Sequence, residues 1–219
     1  MKDMMIGVDL AKTVFQVHGA LRTAEVRFRK KLTRTQFSVF MAHQEPCLVI
    51  FEACGSAHYW AHEMEAVGHE VKLIAPQYVS PFVKRQKNDA ADAEAIVIAA
   101  RQPEMRFVEP KTVEQQSRAA VVRGRERLVH QRTADVNALR ALLYEHGHVF
   151  PQGMRHLNRM TALVEDETVD LHALIRDECL DLLAQIAEKT ARVIERTTKL
   201  KTLAAESDRA RRLQTMPGV

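Results

Sequence analysis

The chain has 219 residues, of which 46% are hydrophobic and 27% charged, and its formal net charge is +4. Those fractions exclude a disordered chain, a collagen-like repeat and a bare coiled coil. The mild positive charge permits a nucleic-acid partner without requiring one. Residues 5–10 read as a short buried strand, and residues 13–18 alternate as a second strand two residues later. Residues 24–29 alternate strictly and predict a half-buried third strand. Thr33 or Thr35 can cap a helix running to about His43. Residues 47–51 are wholly apolar, as in a strand buried on both faces. A helix over about 57–67 follows, with Gly68 as its C-terminal cap, and residues 70–75 form a fifth strand. Three meandering strands followed by βαβ units predict an α/β fold, a mixed sheet with flanking helices. Nine of the twelve aromatic residues precede residue 105, so this half owns most of the large core side chains.

The second half is helical. Residues 111–146 contain no proline and one glycine, Gly124, and residues 149–154 break the pattern. A second stretch covers about 168–214. In it Ile175, Leu182, Ile186, Val193, Leu200 and Leu203 fall near a seven-residue repeat, which Lys189 and Arg196 interrupt. A long antiparallel helical hairpin is expected. The longest clean apolar run, residues 95–100, is far short of the ~20 residues a membrane span needs. Asp9 and Lys12 interrupt the first apolar stretch, so no secretory signal is visible. Cys47, Cys54 and Cys179 form no CxxC pair and predict reduced thiols in a cytoplasmic setting.

Four carboxylates fall where a sheet protein usually avoids them. Asp9 and Glu52 each end an apolar run, and an unpaired buried carboxylate is costly. Asp89 and Asp92 are three apart at the start of a helix predicted over 89–101, so they share one side. Clustered carboxylates repel unless cations lie between them. Mg²⁺ prefers hard oxygen ligands, and two such ions ~3.5–4 Å apart can drive phosphodiester cleavage. Each acid also has a structural reading: Asp9 as a strand-end turn residue, Asp89 and Asp92 as partners of the helix dipole behind the N-cap Asn88. The set of four, in strand–strand–helix order, points to metal. His58 and His62 are four apart, but no HExxH pattern or third ligand accompanies them, and they read as ordinary helix histidines.

Longer motifs carry a resemblance. They are Ile-Gly-Val-Asp-Leu-Ala-Lys at 6–12, Glu-Ala-Cys-Gly-Ser at 52–56, residues 68–76, and Pro-Phe-Val-Lys-Arg-Gln-Lys-Asn-Asp-Ala-Ala-Asp-Ala-Glu-Ala-Ile at 81–96. Arg-Gly-Arg-Glu-Arg-Leu at 123–128 and Asn-Ala-Leu-Arg at 137–140 continue it. With these the chain resembles the DEDD-type transposases of bacterial insertion sequences, the group associated with a bridge RNA. The resemblance implies an RNase H-like domain, related to RuvC-type resolvases, followed by a coiled coil. It places Asp9, Glu52, Asp89 and Asp92 on the D-E-D-D positions, as catalytic residues and ligands of two Mg²⁺ or Mn²⁺ ions. It implies a catalytic domain over 1–104, a helical domain over 105–215, and at 216–219 the opening of a further domain that bears a nucleophilic serine. A truncated transposase is therefore expected. DNA, a structured guide RNA and further copies of the chain are the implied partners, in a bacterial cytoplasm.

Basic residues fit such partners. Lys84, Arg85 and Lys87 immediately precede Asp89. Arg118, Arg125 and Arg132 repeat every seven residues, with Arg123 and Arg127 beside them. Phosphate neutralisation drives nucleic-acid binding, although a charged coiled-coil face would look the same. The acids alone also fit a RuvC-type structure-selective endonuclease. A non-catalytic nucleic-acid-binding or dimerisation module stays open as well. An actin-like ATPase is echoed only by Ile-Gly-Val-Asp-Leu, without the Gly-Thr that its phosphate loop carries.

Overall fold

The computed structural model describes residues 3–83 and 89–216, leaving the side chains of residues 89–91 outside that description. The chain divides into two compact units, Met1–Thr112 and Val113–Val219. Strands β1 (Met4–Leu10), β2 (Val14–Leu21), β3 (Val26–Thr33), β4 (Leu48–Glu52), β5 (Glu70–Ile74) and β6 (Phe107–Val108) form the sheet of the first unit. Their spatial order is β3-β2-β1-β4-β5-β6. The first three strands are antiparallel, β4 and β5 run parallel to β1, and β6 returns antiparallel to β5. This is the mixed sheet with flanking helices that the sequence predicts.

Each face of the sheet has its own core. Helices α1 (Arg34–Ala42) and α2 (Ala57–Ala66) cover one face. There Phe15, Phe37 and Trp60 meet edge-to-face, with ring centroids 5.0–5.4 Å apart. Such pairs add ~0.5–1.5 kcal/mol each beyond the area they bury. Helix α4 (Asp89–Ala100) follows the short α3 (Pro76–Val79) and packs with the other core. Its Ala95, Ile96, Val97 and Ala99 join Met5, Leu48, Ile50 and Ile74 of the strands.

Local caps explain where the helices begin and end. Thr33 caps α1 in a reciprocal box: its hydroxyl accepts from the Gln36 backbone N–H, and the Gln36 side chain accepts from the Thr33 N–H. Helix α2 ends as expected at Gly68, which has φ +94°. The Gly68 N–H donates to the Glu65 carbonyl and the His69 N–H to the Met64 carbonyl, satisfying two orphan acceptors. Gly68→Ala is expected to cost ~1–2 kcal/mol, the penalty of a Cβ in the left-handed region, read as a lower urea midpoint.

Three expectations shift. Ala24 is not in a strand; it sits at φ +79° in the turn between β2 and β3. The β2–β3 register slips between Gly19 and Ala20, so strict alternation fails there and Val26 is 43% exposed. The strand then continues to Thr33. Finally, the second long helical stretch is broken into two helices.

The second unit pairs α5 (Val113–Glu145) with α7 (Ala173–Ala205), with α6 (Leu157–Glu165) beside them. Helix α8 (Asp208–Gln214) starts afresh after the Ser207 hydroxyl accepts from the Ala210 N–H. Lys189 pairs with Asp135 at 2.8 Å, and the Arg125 Nε–H donates to Thr197 Oγ1 at 2.8 Å. Going back along α5 thus goes forward along α7, as an antiparallel hairpin requires. The apolar seam uses Cys179, Ile186 and Val193, spaced by seven. Ile175, Leu182 and Leu183 are only partly buried against it. Lys189 does not interrupt the seam as a free charge, because its partner Asp135 lies opposite.

Candidate active site

Strand alternation aims two of the acids. Along β1, Met5 and Gly7 face α4, so Asp9 shares that face. Along β4, Leu48 and Ile50 join the same core, so Glu52 shares it too. The parallel pairing ends at Val8 opposite Phe51, which leaves Asp9 and Glu52 one step beyond the last paired residues. Neighbouring strands lie ~4.8 Å apart. Both carboxylates therefore sit side by side, half-buried, where the parallel strands end. Open α/β sheets place ligands at that edge.

Helix α4 brings the third acid. A Cβ on Gly7 would lie 2.6 Å from the Ala93 carbonyl oxygen and 2.7 Å from Val97 Cγ2. The helix backbone thus rests directly on β1, an approach open only to glycine at that position. Asp92 immediately precedes Ala93 and is half-buried. Asp89 opens the same helix three residues earlier, and its side chain lies outside the described residues.

The electrostatics show that three acids share one locality. The Glu52 carboxyl is pushed above the usual carboxylate range, first by burial and then by the negative charges of Asp9 and Asp92. Mutual repulsion of this kind is relieved by a cation with oxygen-only coordination. Among the described residues, no three His, Cys, Asp or Glu side chains are gathered tightly enough to hold one ion. The donor set is hard, acidic and mutually destabilised, which is the chemistry a divalent cation relieves, although the three described carboxylates are not drawn together into a formed site.

The other expected site residues are placed as follows. Lys84, Arg85 and Lys87 lie outside the described residues, as do residues 217–219. Arg118 pairs with Glu114 one turn away, at 2.6 Å. Arg125 is part-buried and bound to Thr197, and Arg132 is half-buried with its Nε hydrogen-bonded to nothing among the described residues. The seven-residue arginine row therefore reaches into the helix pair. Arg123 and Arg127 are exposed. His62 Nε2 donates to the Lys111 carbonyl, and the Lys111 N–H donates to His58 Nδ1, so both histidines fasten the chain beyond β6. Cys47 is buried, with its thiol pushed up to about 11, and packs against His69. No helix of the described residues is long and apolar enough to cross a membrane. Gly7 was not singled out from the sequence, although a glycine amid a buried apolar strand is the signal that finds it.

Residues 6–148 match the model of the IS110-type DEDD family, described as a transposase, and the chain belongs to that family. It is 55% identical over 142 residues to a Pseudomonas aeruginosa protein named "Probable family 20 transposase", covering 65% of this chain and 42% of that one. It is 36% identical over 215 residues to the "Transposase for insertion sequence element IS1328" of Yersinia enterocolitica, covering 98% of this chain and 64% of that one. The chain spans 42–64% of the length of the curated relatives it matches. A Thermus thermophilus RuvC structure aligns with 48% of this chain and 99% of its own, at a TM-score of 0.37 and 12% identity. Membership in a DEDD family implies dependence on a divalent metal.

Proposed function

We propose that this chain carries the metal-dependent phosphodiester-cutting centre of a DNA transposase, acting in strand cleavage and transfer during insertion-sequence transposition. Asp9, Glu52, Asp89 and Asp92 are the proposed ligands of two Mg²⁺ or Mn²⁺ ions. One observation carries the reading: Asp9 and Glu52 leave the ends of adjacent parallel strands on the face where α4 delivers Asp92, near enough for their charges to act on one carboxyl. Bound cations would supply Lewis-acid polarisation of the phosphodiester and stabilise charge on the leaving oxygen. The chain's own residues do the positioning. Gly7 lets α4 close on β1, and Asp9 and Glu52 hold their side chains at the sheet edge.

In this reading residues 1–104 are the catalytic domain and residues 105–215 the helical domain. Lys84, Arg85, Lys87, Arg118, Arg123, Arg125, Arg127 and Arg132 supply phosphate contacts. DNA is the substrate, a structured bridge RNA the guide, further copies of the chain its assembly partners, and the bacterial cytoplasm its setting. The test is Mn²⁺ binding by calorimetry in the presence of a 30-nucleotide DNA strand, on the unaltered chain and on Asp9→Asn/Asp92→Asn. About two ions per chain, lost in the variant, are expected. No binding with DNA present would overturn the reading.

A further inference from the structure

The edge strand β3 carries Arg27, Arg29, Lys30 and Lys31 and no acid. Its cations do not all point the same way. Phe28 and Leu32 pack toward the aromatic core, and Lys30 between them has its Nζ 5.3 Å from the Phe40 ring centroid, on that same side. Arg29 and Lys31 therefore lie on the opposite face, the one that α4 and the acids share. The pairing registers make this explicit. Lys31 is opposite Gln16, and Gln16 is opposite Asp9. One row across the sheet thus runs Lys31, Gln16, Asp9, with Glu52 on the next strand. Arg29 reaches Glu94 on α4 at 3.4 Å, two residues past Asp92.

Between these groups the surface stays open. A cleft of about 220 Å³ is lined by Gln16, Val17, Arg29, Lys30, Lys31 and Ala93, the residue that follows Asp92; Lys30 borders it too, but its ammonium is turned away to the Phe40 ring. Lysine on an edge strand often serves only to block pairing with another sheet. Such a role does not require two cations to share one face with the acids, beside an open cleft. Lys31 is exposed and pairs with no carboxylate among the described residues. Two strand spacings separate it from Asp9, roughly 10 Å.

We infer that Arg29 and Lys31 form a phosphate-binding ledge for the DNA strand, holding a backbone phosphate that flanks the one at Asp9, Glu52 and Asp92. The inference rests on the proposed function, since it places the flanking backbone relative to a scissile phosphate. The two are positioning residues: Lys31 supplies the charge that neutralises a phosphate, and Arg29, held by Glu94 on α4, borders the ledge and helps fix where the strand crosses the acids. Gln16, between them and Asp9, offers an amide to the intervening backbone.

The experiment compares Lys31→Ala with Lys30→Ala, which remove the same charge from the same strand on opposite faces. Fluorescence anisotropy reads binding of a labelled 30-nucleotide DNA duplex across a salt series, with Ca²⁺ present. Lys31→Ala is expected to raise the Kd several-fold and lower the salt slope by about 0.9, the value for one phosphate contact. Lys30→Ala should match the unaltered chain, and Lys31→Arg should restore binding. Equal effects of Lys30→Ala and Lys31→Ala, or no effect of Lys31→Ala, would overturn the ledge while leaving the DNA-cutting reading intact. A loss confined to RNA of the same sequence would also overturn it. No binding of any nucleic acid by the unaltered chain would overturn both.

Discussion

Gly7→Ala is expected to abolish DNA cleavage while leaving a folded but weakened first unit. The added methyl would meet the Ala93 carbonyl oxygen at 2.6 Å and Val97 Cγ2 at 2.7 Å. Val97 can rotate or be trimmed, but a backbone carbonyl moves only if α4 moves. Overpacking of this kind costs about 1–3 kcal/mol, measurable as a lower melting temperature. The functional loss should exceed the stability loss, because displacing α4 carries Asp92 away from Asp9 and Glu52. Gly7→Ala/Val97→Ala separates the two effects. It should recover part of the stability, since one of the two clashes is gone, yet stay inactive, since the Ala93 carbonyl still blocks the approach. Full recovery of cleavage in the double variant would refute the role given to this contact.

Glu52→Gln is expected to raise stability at neutral pH and to remove activity. The folded chain holds the Glu52 carboxyl above its ordinary value, by burial first and by Asp9 and Asp92 next. A carboxyl raised on folding binds its proton more readily in the folded state. Its favourable contribution is therefore complete below the unfolded value and is lost as pH rises through the folded one. At pH 7 the unaltered chain bears this penalty, and the amide does not. The melting-temperature difference between Glu52→Gln and the unaltered chain should thus shrink as pH falls into the carboxylate range. Mn²⁺ should raise the melting temperature of the unaltered chain more than that of the variant, because the cation relieves the same repulsion. If a metal centre supplies several kcal/mol of transition-state stabilisation, removing one ligand costs on the order of 10²–10³ in cleavage rate at ~1.36 kcal/mol per decade. A variant that cleaves DNA normally would remove Glu52 from the centre.

Much of the sheet was legible because burial writes itself into short apolar runs. Residues 47–51 could hardly be anything but a central strand, and a charge closing such a run, as at Glu52, stands out from it. Caps were legible for the same local reason: Thr33 with Gln36, and Gly68 after α2, act within four residues. What escaped depends on partners distant in the chain. Gly7 acquires its meaning from Ala93, and the slip at Gly19/Ala20 depends on how β2 meets β3. The two-residue β6 has no periodicity to read and exists by pairing with β5. The seven-residue row Arg118, Arg125, Arg132 was visible, but a period identifies a stripe and not what the stripe faces. The break between α7 and α8 could have been found from Ser207 followed by Asp208, a helix-start signal inside an otherwise helical run.

The helical hairpin is built unevenly along its length. Its apolar cluster gathers Val136, Leu139 and Leu143 of α5, Met160 and Val164 of α6, Leu171, and Cys179 and Ile186 of α7. Toward the start of α5 and the end of α7, polar ties such as Arg125 with Thr197 take over, and Leu128 and Val193 are the buried apolar side chains that remain. Cooperative opening follows buried apolar contacts. The hairpin is therefore a zipper with a fastened end and a loose one. By that rule the arms at the start of α5 and the end of α7 should exchange their amide hydrogens before those beside the turn.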